Sequence, residues 1–423
     1  MKNSLAVIMA GGKGKRLMPL TEHRSKPAIP FGGIYLLIDL ALSNCINSNI
    51  YKIIVLPQYK SQTLMQHLEG GWNLFSLDLG HYLKIAPPQM MEGEKWYQGT
   101  ADSLRQNAYL IAQDHPEQVL ILSGDHVYKM DYARFRDYHE AHNSHVTIAV
   151  IEEPREEAGK YGIVEVDSQF RVKGFQEKPL TPRTIPGDDS HVLASMGIYI
   201  FQAQVLLDLL KRDEQPDFGN HILPSILESH RVMAYPYRRE NKIKDIISYT
   251  DEDGVRHETV DGIRDSGYWR DVGTLDSYWN ANMDLTGVDP YFNLYGRLWP
   301  IRTFQRQYPP VKTVFAQRSS ESPRAGQALD SLVAHGSILS GGSVQNSVLS
   351  YNVFVRSWAC IEESVIMENV VVGRHARIKK AIIAEGVNIP AGTEIGYHPE
   401  EDRKRFTVTS RGITVVTQED LLK

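Results

Sequence analysis

The chain has 423 residues, of which 42% are hydrophobic, and this is enough for a large core and two or three domains. Its formal net charge of −5 argues against a broad basic surface for nucleic acid, so its cations must act locally. No apolar run approaches the roughly 20 residues of a membrane span. Cys45 and Cys360 are the only cysteines, and we expect a cytoplasmic protein without disulfides or a signal peptide.

A glycine loop follows the first apolar segment. Leu5–Ala10 predicts a buried strand, and Gly11, Gly12 and Gly14 come directly after it. Such glycines let backbone N–H groups approach an anion. Cations surround the loop, at Lys13, Lys15, Arg16, Arg24 and Lys26. The spacing fits neither a P-loop nor a dinucleotide fingerprint. The pattern indicates another kind of polyphosphate cradle, and a glycine turn with solvated lysines is the alternative.

Strands and helices alternate through residues 1–150. The predicted strands are Leu5–Ala10, Lys52–Leu56, Val119–Ser123 and Val146–Ile151. The predicted helices are Asp39–Ser48, Ser61–Glu69, Ala101–Gln113 and Tyr132–Asn143. This order predicts an α/β fold with a mostly parallel sheet. Because ligands bind beyond the carboxyl ends of such strands, the glycine loop and Asp125 should reach one crevice.

The middle of the chain continues with strands and two irregular segments. Further strands are predicted at Gly162–Val166, Val172–Phe175 and Met196–Phe201. Thr181–Ser190 is rich in proline, glycine and aspartate, and Asp251–Asp265 is densely charged. We expect both segments to be mobile surface loops.

Aliphatic residues then recur every 17 positions. The series are Ile338, Val355, Val372 and Ile389; Val344, Ile361, Ile378 and Ile395; Val348, Val365 and Ile382; and Val353, Val370 and Val387. Such hexads predict a parallel β-helix with three sides per turn. Since 17 is one short of three hexads, one corner should be tighter. The end of the chain, Phe406–Thr409 and Gly412–Thr417, predicts a short strand pair.

Acidic and basic side chains stand where strands end. Asp125 follows Val119–Leu122 and a glycine, and Asp271 lies among aromatics before Gly273. Mg²⁺ commonly takes one or two carboxylates, so these two aspartates would suit it if the fold brings them together. Asp125 could instead cap the next element. Lys178 precedes a proline at a strand end, where it could bind an anion or be solvated.

The motifs in this order resemble bacterial glucose-1-phosphate adenylyltransferases, also called ADP-glucose pyrophosphorylases. The similarity includes SKPAIPFGG, GTADS, GDHVYKMDY, EKP, ASMGIYIF, DFG and YWRDVGTLDSYW, and extends over essentially the whole chain. It implies a Rossmann-like mixed parallel sheet followed by a left-handed β-helix of hexapeptide repeats. The domains would be a catalytic domain at 1–285, a connector at 286–330 and a regulatory and assembly domain at 331–423.

The resemblance assigns roles to individual residues. Asp125 and Asp271 would bind Mg²⁺. The triphosphate of ATP would contact Gly11, Gly12, Gly14, Arg16 and Lys26, with Gln89 near the base. Glucose 1-phosphate would contact Tyr97, Gly162, Glu177, Lys178 and Ser195. Arg16, Lys26, Asp125, Lys178 and Asp271 would form the catalytic set.

The activity implied is transfer of the adenylyl group of ATP to α-D-glucose 1-phosphate, giving ADP-glucose for glycogen synthesis and pyrophosphate. Two alternatives stay open. A catalytically silent subunit should have lost metal or phosphate ligands, whereas this chain keeps them. The other alternative is a transferase that uses a different nucleotide or sugar, because the spacing of the motifs does not define the base.

The resemblance also implies a homotetramer regulated by phosphorylated metabolites between the domains, where Arg24, Arg374 and Arg377 are candidates. Relatives typically carry a lysine and an arginine where Ile34 and Leu36 stand here. We therefore expect a blunted or altered response to sugar bisphosphates and AMP. The alternative is that Ile34 and Leu36 simply pack and that effectors use other cations.

Overall fold

The computed structural model describes residues 3–89, 96–212, 215–317 and 323–422. The N-terminal part is an α/β domain. Its strands are β1 Ser4–Ala10, β2 Pro30–Phe31, β3 Tyr35–Leu36, β4 Lys52–Pro57, β5 Tyr82–Ile85, β6 Gln118–Ser123, β7 His126–Tyr128, β8 Val146–Pro154, β9 Gly162–Val166, β10 Val172–Glu177, β11 His191–Gln202, β12 Val232–Pro236, β13 Lys244–Thr250, β14 Arg256–Gly262 and β15 Trp269–Asp271. Its helices are α1 Ile38–Asn47, α2 Gln62–Gly71, α3 Thr100–Gln106, α4 Ala108–Gln113, α5 Tyr132–Ala141, α6 Ala203–Arg212, α7 Leu223–Ile226, α8 Tyr237–Glu240 and α9 Leu275–Met283.

The central sheet has the strand order β10-β9-β11-β6-β1-β4-β5, and β8 and β12 extend it from β11. β1 is parallel to β4 and β6, whereas β11 is antiparallel to β6, β8 and β9. Alternate residues of β1 enter two different cores, with Ala6 and Ile8 on one face and Leu5 and Val7 on the other. Helices therefore cover both faces, and the predicted mixed parallel sheet is confirmed.

One predicted helix is two helices. Ala101–Gln113 is interrupted at Asn107, between α3 and α4. The Asn107 amide donates to the backbone oxygen of Ser103 and to the hydroxyl of Tyr97, both at 2.8 Å. An asparagine side chain that bonds nearby groups in this way competes with helical backbone bonding, which explains the break.

The prediction of a loop over Asp251–Asp265 was wrong. β13 and β14 form an antiparallel hairpin in which Thr250 faces Arg256. Asp251 Oδ1 accepts hydrogen bonds from the backbone N–H groups of Asp253 and Val255. Gly254 has φ +79° in the turn. The Asp253–Gly254 pair is a hairpin signal that the density of charge obscured.

The C-terminal part is a parallel β-helix. Its strands are β16 Lys312–Val314, β17 Ala316–Gln317, β18 Arg324–Ala325, β19 Gln327–Leu329, β20 Leu332–Val333, β21 Ile338–Ser340, β22 Ser343–Gln345, β23 Val348–Leu349, β24 Phe354–Val355, β25 Cys360–Glu362, β26 Val365–Ile366, β27 Val371–Val372, β28 Arg377–Lys379, β29 Ala381–Ile383, β30 Asn388–Ile389, β31 Glu394–Ile395, β32 Thr407–Val408 and β33 Thr414–Val416. Helices α10 Pro399–Arg405 and α11 Gln418–Leu422 close it. Strands from successive turns stack in three sheets, β16-β21-β24-β27-β30, β19-β22-β25-β28-β31 and β20-β23-β26-β29-β33-β32, which confirms the hexad prediction.

The register follows the predicted series with one exception. Val344, Ile361, Ile378 and Ile395 stack directly. Val355, however, stacks on Leu339 and not on Ile338, because that turn has 16 residues instead of 17. Ile338 is 36% exposed and Leu339 is fully buried, so Ile338 was assigned wrongly. The tighter corner lies between the inward residues Ile361 and Ile366, which are five positions apart.

The two parts share a hydrophobic core. Val365, Ile382 and Val415 of the β-helix belong to the same buried cluster as Ile29 and Tyr278 of the α/β domain. The Trp279 indole N–H donates a hydrogen bond to the backbone oxygen of Glu363 at 2.8 Å. β16 already pairs with β21, so repeat strands begin within the predicted connector. Among the described residues, no helix is long and apolar enough to cross a bilayer.

Candidate active site

Two carboxylates meet at the edge of the central sheet where β1 and β6 end. Asp125 follows β6, and Asp271 ends β15. β15 pairs antiparallel with β7, which places Asp271 opposite His126. The Nζ atom of Lys26 lies 2.6 Å from Asp125 Oδ2 and 3.1 Å from Asp271 Oδ1. Three distant segments of the sequence thus converge on one ammonium group.

The charges of this cluster reinforce one another. Burial alone would raise the pKa of Asp125, but Lys26 and His126 outweigh it and hold that pKa well below its usual range. Burial alone would lower the pKa of Lys26, but Asp125 and Asp271 outweigh it and raise that pKa. At neutral pH Asp125 is therefore ionised and Lys26 is protonated.

The glycine loop lies beside this cluster. Gly14 has φ +60°, and a Cβ there would lie 2.7 Å from Thr21 Cγ2, so the turn requires glycine. A Cβ built on Gly273 would lie 3.0 Å from both Arg16 Nη2 and Asp271 Oδ2, which shows that Arg16 borders Asp271. Gly11 packs against Gln58, whereas Gly12 has open space around it.

A cavity of about 290 Å³ opens next to the aspartates. The predicted residues that line it are Arg16, Gly162, Glu177, Lys178, Ser195 and Asp271. Lys178 Nζ lies 2.9 Å from Glu177 Oε1, and the Lys178 side chain is about half exposed. This cavity therefore brings the predicted sugar-phosphate residues to the predicted metal ligands.

Local backbone features shape the cavity wall. A Cβ on Gly162 would lie 2.4 Å from Phe175 Cζ and 3.0 Å from Glu177 Oε2, so only glycine allows this packing. The pairing of β11 with β8 shifts register between Ser195 and Tyr199, where Gly197 has φ +66°. This bulge places Ser195 among the lining residues.

Several lining residues were not predicted. They are Thr100, Lys160, Tyr161, Asp217, Phe218, Gly219 and Trp269. Gly219 approaches Glu177, since a Cβ there would lie 3.2 Å from Glu177 Oε2. The backbone N–H of Ala101 donates to Pro216 O at 2.9 Å and ties the two segments together. The DFG and GTADS motifs lie in these segments, but no sequence pattern indicates that the two segments meet.

Other predicted residues lie elsewhere. Tyr97 is buried against Asn107, and Gln89 is exposed; neither lines the cavity. Arg374 and Arg377 are exposed on the β-helix, where Arg377 pairs with Glu394 at 2.7 Å.

Arg24 lines a second cavity, of about 180 Å³, between the two domains. There it forms an ion pair with Glu385, and Arg306 forms one with Glu368. Ile34 and Leu36 line the same cavity, and Arg374 and Arg377 do not.

Known proteins resemble both parts of the chain. The nucleotidyl transferase family model matches residues 5–287, and the GlmU-like C-terminal hexapeptide model matches residues 309–416. Glucose-1-phosphate adenylyltransferases from Koribacter versatilis and Paramagnetospirillum magneticum are 46% and 47% identical over 99% and 100% of this chain and 96% and 95% of their own lengths. The enzyme from Rhodopirellula baltica is 44% identical over 100% of this chain and 91% of its own length.

The chain belongs to the glucose-1-phosphate adenylyltransferase family. The resemblance recognised in the sequence is thereby confirmed over both domains. Within this family, the cluster of Lys26, Asp125 and Asp271 and the adjoining cavity form the candidate active site.

Proposed function

We propose that the protein transfers the adenylyl group of ATP to α-D-glucose 1-phosphate. A phosphate oxygen of the sugar phosphate attacks the α-phosphorus of ATP, and pyrophosphate leaves. The observation that carries this proposal is the convergence of Asp125, Asp271 and Lys26 between the glycine loop and the cavity. The names of the relatives supply the substrates.

The residues present fit a Mg²⁺ ion. Asp125 Oδ2 and Asp271 Oδ1 approach one cation, the Lys26 ammonium, to within 3.1 Å. Carboxylate oxygens are the protein ligands that Mg²⁺ prefers. We propose that Asp125 and Asp271 hold the ion, which when bound neutralises phosphate charge as a Lewis acid.

The chain's own cations bind and orient the two anionic substrates. Arg16 and Lys26 border the glycine loop and would stabilise the pyrophosphate as it leaves. Lys178 would hold the phosphate of the sugar in line, while Glu177 and Ser195 bind sugar hydroxyls. The attacking oxygen is already ionised, so the reaction needs no general base.

Pyrophosphate release tests the substrate assignment. Purified protein is incubated with glucose 1-phosphate, Mg²⁺ and ATP, UTP, GTP or dTTP in separate reactions. We expect release with ATP. If pyrophosphate is released only with another nucleotide, that nucleotide and not ATP is the substrate. If no nucleotide gives release, the result favours the catalytically silent subunit.

Asp125→Ala tests the site. We expect turnover to fall by about a hundredfold or more, comparable to the loss of a preorganised electrostatic contact. Asp137→Ala, on the exposed face of α5, serves as the control. Near-normal activity of a folded Asp125→Ala protein at saturating Mg²⁺ would refute the assignment.

The remaining parts of the proposal concern cellular context. We propose that the ADP-glucose supplies glycogen synthesis and that the protein acts in the cytoplasm as a homotetramer. Cys45 and Cys360 are free thiols, which supports a reducing compartment.

A further inference from the structure

A third cavity, of about 520 Å³, lies at the edge of the sheet away from the candidate active site. It is formed by the β9–β10 turn, the start of β12, the end of α5 and α8. Its charged lining residues are Asp167, Arg171, Lys173, Arg231, Arg239 and Glu240. Cations outnumber carboxylates here, although the whole chain carries a net charge of −5.

One backbone contact brings cations of two segments to the same cavity. Arg171 forms an isolated antiparallel bridge with Met233, and Arg231 lies two residues before Met233 in the sequence. Arg171, Lys173 and Arg231 line one cavity, where their like charges repel one another. An anion bound among them would relieve this repulsion.

The positive charge is only partly compensated. Lys173 pairs with Asp167 at 3.2 Å, and Arg239 pairs with Glu240 at 3.0 Å. Arg171 and Arg231 are both exposed, and neither guanidinium has a carboxylate partner within the described parts of the chain. Two guanidinium forks are thus available at the cavity, and this geometry suits phosphate oxygens.

Aromatic rings form a further part of the wall. The rings of Tyr138 and His142 stack with centroids 4.0 Å apart, and Tyr138 donates to Ala234 O at 2.9 Å. The guanidinium of Arg239 lies 5.7 Å from the centroid of Phe170. The volume lies within the range of small-molecule sites.

We propose that this cavity binds a small phosphate-bearing anion at a site separate from the active site. The same β9–β10 hairpin carries Gly162 and Glu177 at its other end. Occupancy of the cavity would therefore act on the hairpin that lines the candidate sugar-phosphate site, and this second part rests on the proposed function.

The test is a calorimetric titration of the full-length protein with inorganic phosphate, pyrophosphate and glycerol phosphate. A Lys26→Ala background removes one cation beside the glycine loop and so weakens competing anion binding at the candidate active site. The double variant Arg171→Gln/Arg231→Gln should weaken binding of the best of these ligands by at least about tenfold. Arg171→Lys/Arg231→Lys keeps the charge but loses the guanidinium forks, so its binding should lie between that of the unaltered arginines and that of the glutamine variant. Arg155→Gln/Arg411→Gln, at exposed arginines elsewhere, should change nothing.

Comparison of the three ligands shows which class of anion the cavity binds. Binding of phosphate or pyrophosphate alone identifies an inorganic ligand, and tighter binding of glycerol phosphate identifies a phosphate monoester. Unchanged affinity and stoichiometry in the glutamine variant, or no binding in either protein, would overturn the proposal. With Lys26 intact, turnover without added anion should be the same with and without the Arg171→Gln/Arg231→Gln change, so a failure of the binding test is separable from a failure of the proposed function.

Discussion

At the scale of single residues, Lys26 stabilises a site that would otherwise repel itself. Asp125 and Asp271 approach one point, and the Lys26 side chain between them is only 10% exposed. Its ammonium cancels one of two negative charges. The trio keeps a net charge of −1, so it attracts a further cation, while Arg16 nearby offers a counter-charge to phosphate.

Lys178 allows the two substrates to be separated. It lines the cavity beside Glu177 and is remote from the glycine loop in sequence. We expect Lys178→Ala to raise KM for glucose 1-phosphate by at least about tenfold, through loss of a charge-assisted hydrogen bond, with little change in KM for ATP. Initial rates with each substrate varied in turn provide the measurement. Lys211→Ala, at an exposed lysine in the last turn of α6, is the control. A similar rise in both KM values would contradict the role.

Single residues also show what sequence can predict of a site. Asp125 and Lys178 stand at strand ends, and a strand end has a known place in an α/β domain. Tyr97 lies close to the GTADS motif, yet it packs against Asn107 and not in the cavity. The contact of Gly219 with Glu177 depends on how two loops cross, and no periodicity encodes such a crossing.

At the scale of elements, the β7–β15 pair fixes the distance between the two aspartates. A buried ion pair supports it, since Lys129 Nζ lies 2.7 Å from Asp265 Oδ2 and both side chains are at most 2% exposed. The Tyr237 hydroxyl lies 2.8 and 2.9 Å from the backbone oxygens of Lys129 and Tyr268, and its single O–H is shared between these two acceptors. These contacts join the end of β7 to the start of β15.

We expect Lys129→Met to destabilise the protein by about 3–5 kcal/mol, because it leaves the Asp265 carboxylate buried without its partner. Denaturant unfolding measures the change in free energy. Lys129→Met/Asp265→Asn removes both charges and should recover part of the loss. If the double variant is no more stable than Lys129→Met, the ion pair is not the cause.

Elements were predictable where a period repeats and less so where it changes. The series containing Val344 stacks through every turn, because one inward residue per side is the rule of the fold. The series containing Val348 also stacks, but its members Val365 and Ile382 pack against the α/β domain. The inward residues of that side are Leu349, Ile366 and Ile383, one position later in the sequence. The assignment of Ile338 to the inward series was wrong because one turn is a residue shorter than the others. Leu339, and not Ile338, therefore stacks on Val355. The β13–β14 hairpin lies on the surface, where hydrophobic patterning is weak.

At the scale of the whole molecule, the β-helix is part of the core of the catalytic domain. Val365, Ile382 and Val415 would leave Ile29 and Tyr278 uncovered if the β-helix were removed. We therefore expect deletion of residues 330–423 to give unstable protein.

Sedimentation of the intact chain tests assembly: we expect four times the mass of one chain. A monomer at micromolar concentration would contradict the proposed tetramer.

The cavity between the domains bears on regulation. Ile34 and Leu36 line it without charge, and its arginines Arg24 and Arg306 are already paired with Glu385 and Glu368. An anionic effector would have to displace these glutamates before it gained the arginines. Paired cations and missing cations therefore act in the same direction, against tight binding of phosphorylated effectors.

We expect fructose 1,6-bisphosphate and AMP to change the rate little at sub-saturating ATP. Each missing cation removes a charge-assisted hydrogen bond, and two such losses would weaken binding by more than about tenfold. Initial rates with and without each effector measure the response. Ile34→Lys/Leu36→Arg supplies the missing charges and should increase it, whereas Ile34→Met/Leu36→Met changes the same positions without charge and should not. Strong activation of the unaltered protein by micromolar bisphosphate would show that other cations suffice and that Ile34 and Leu36 merely pack.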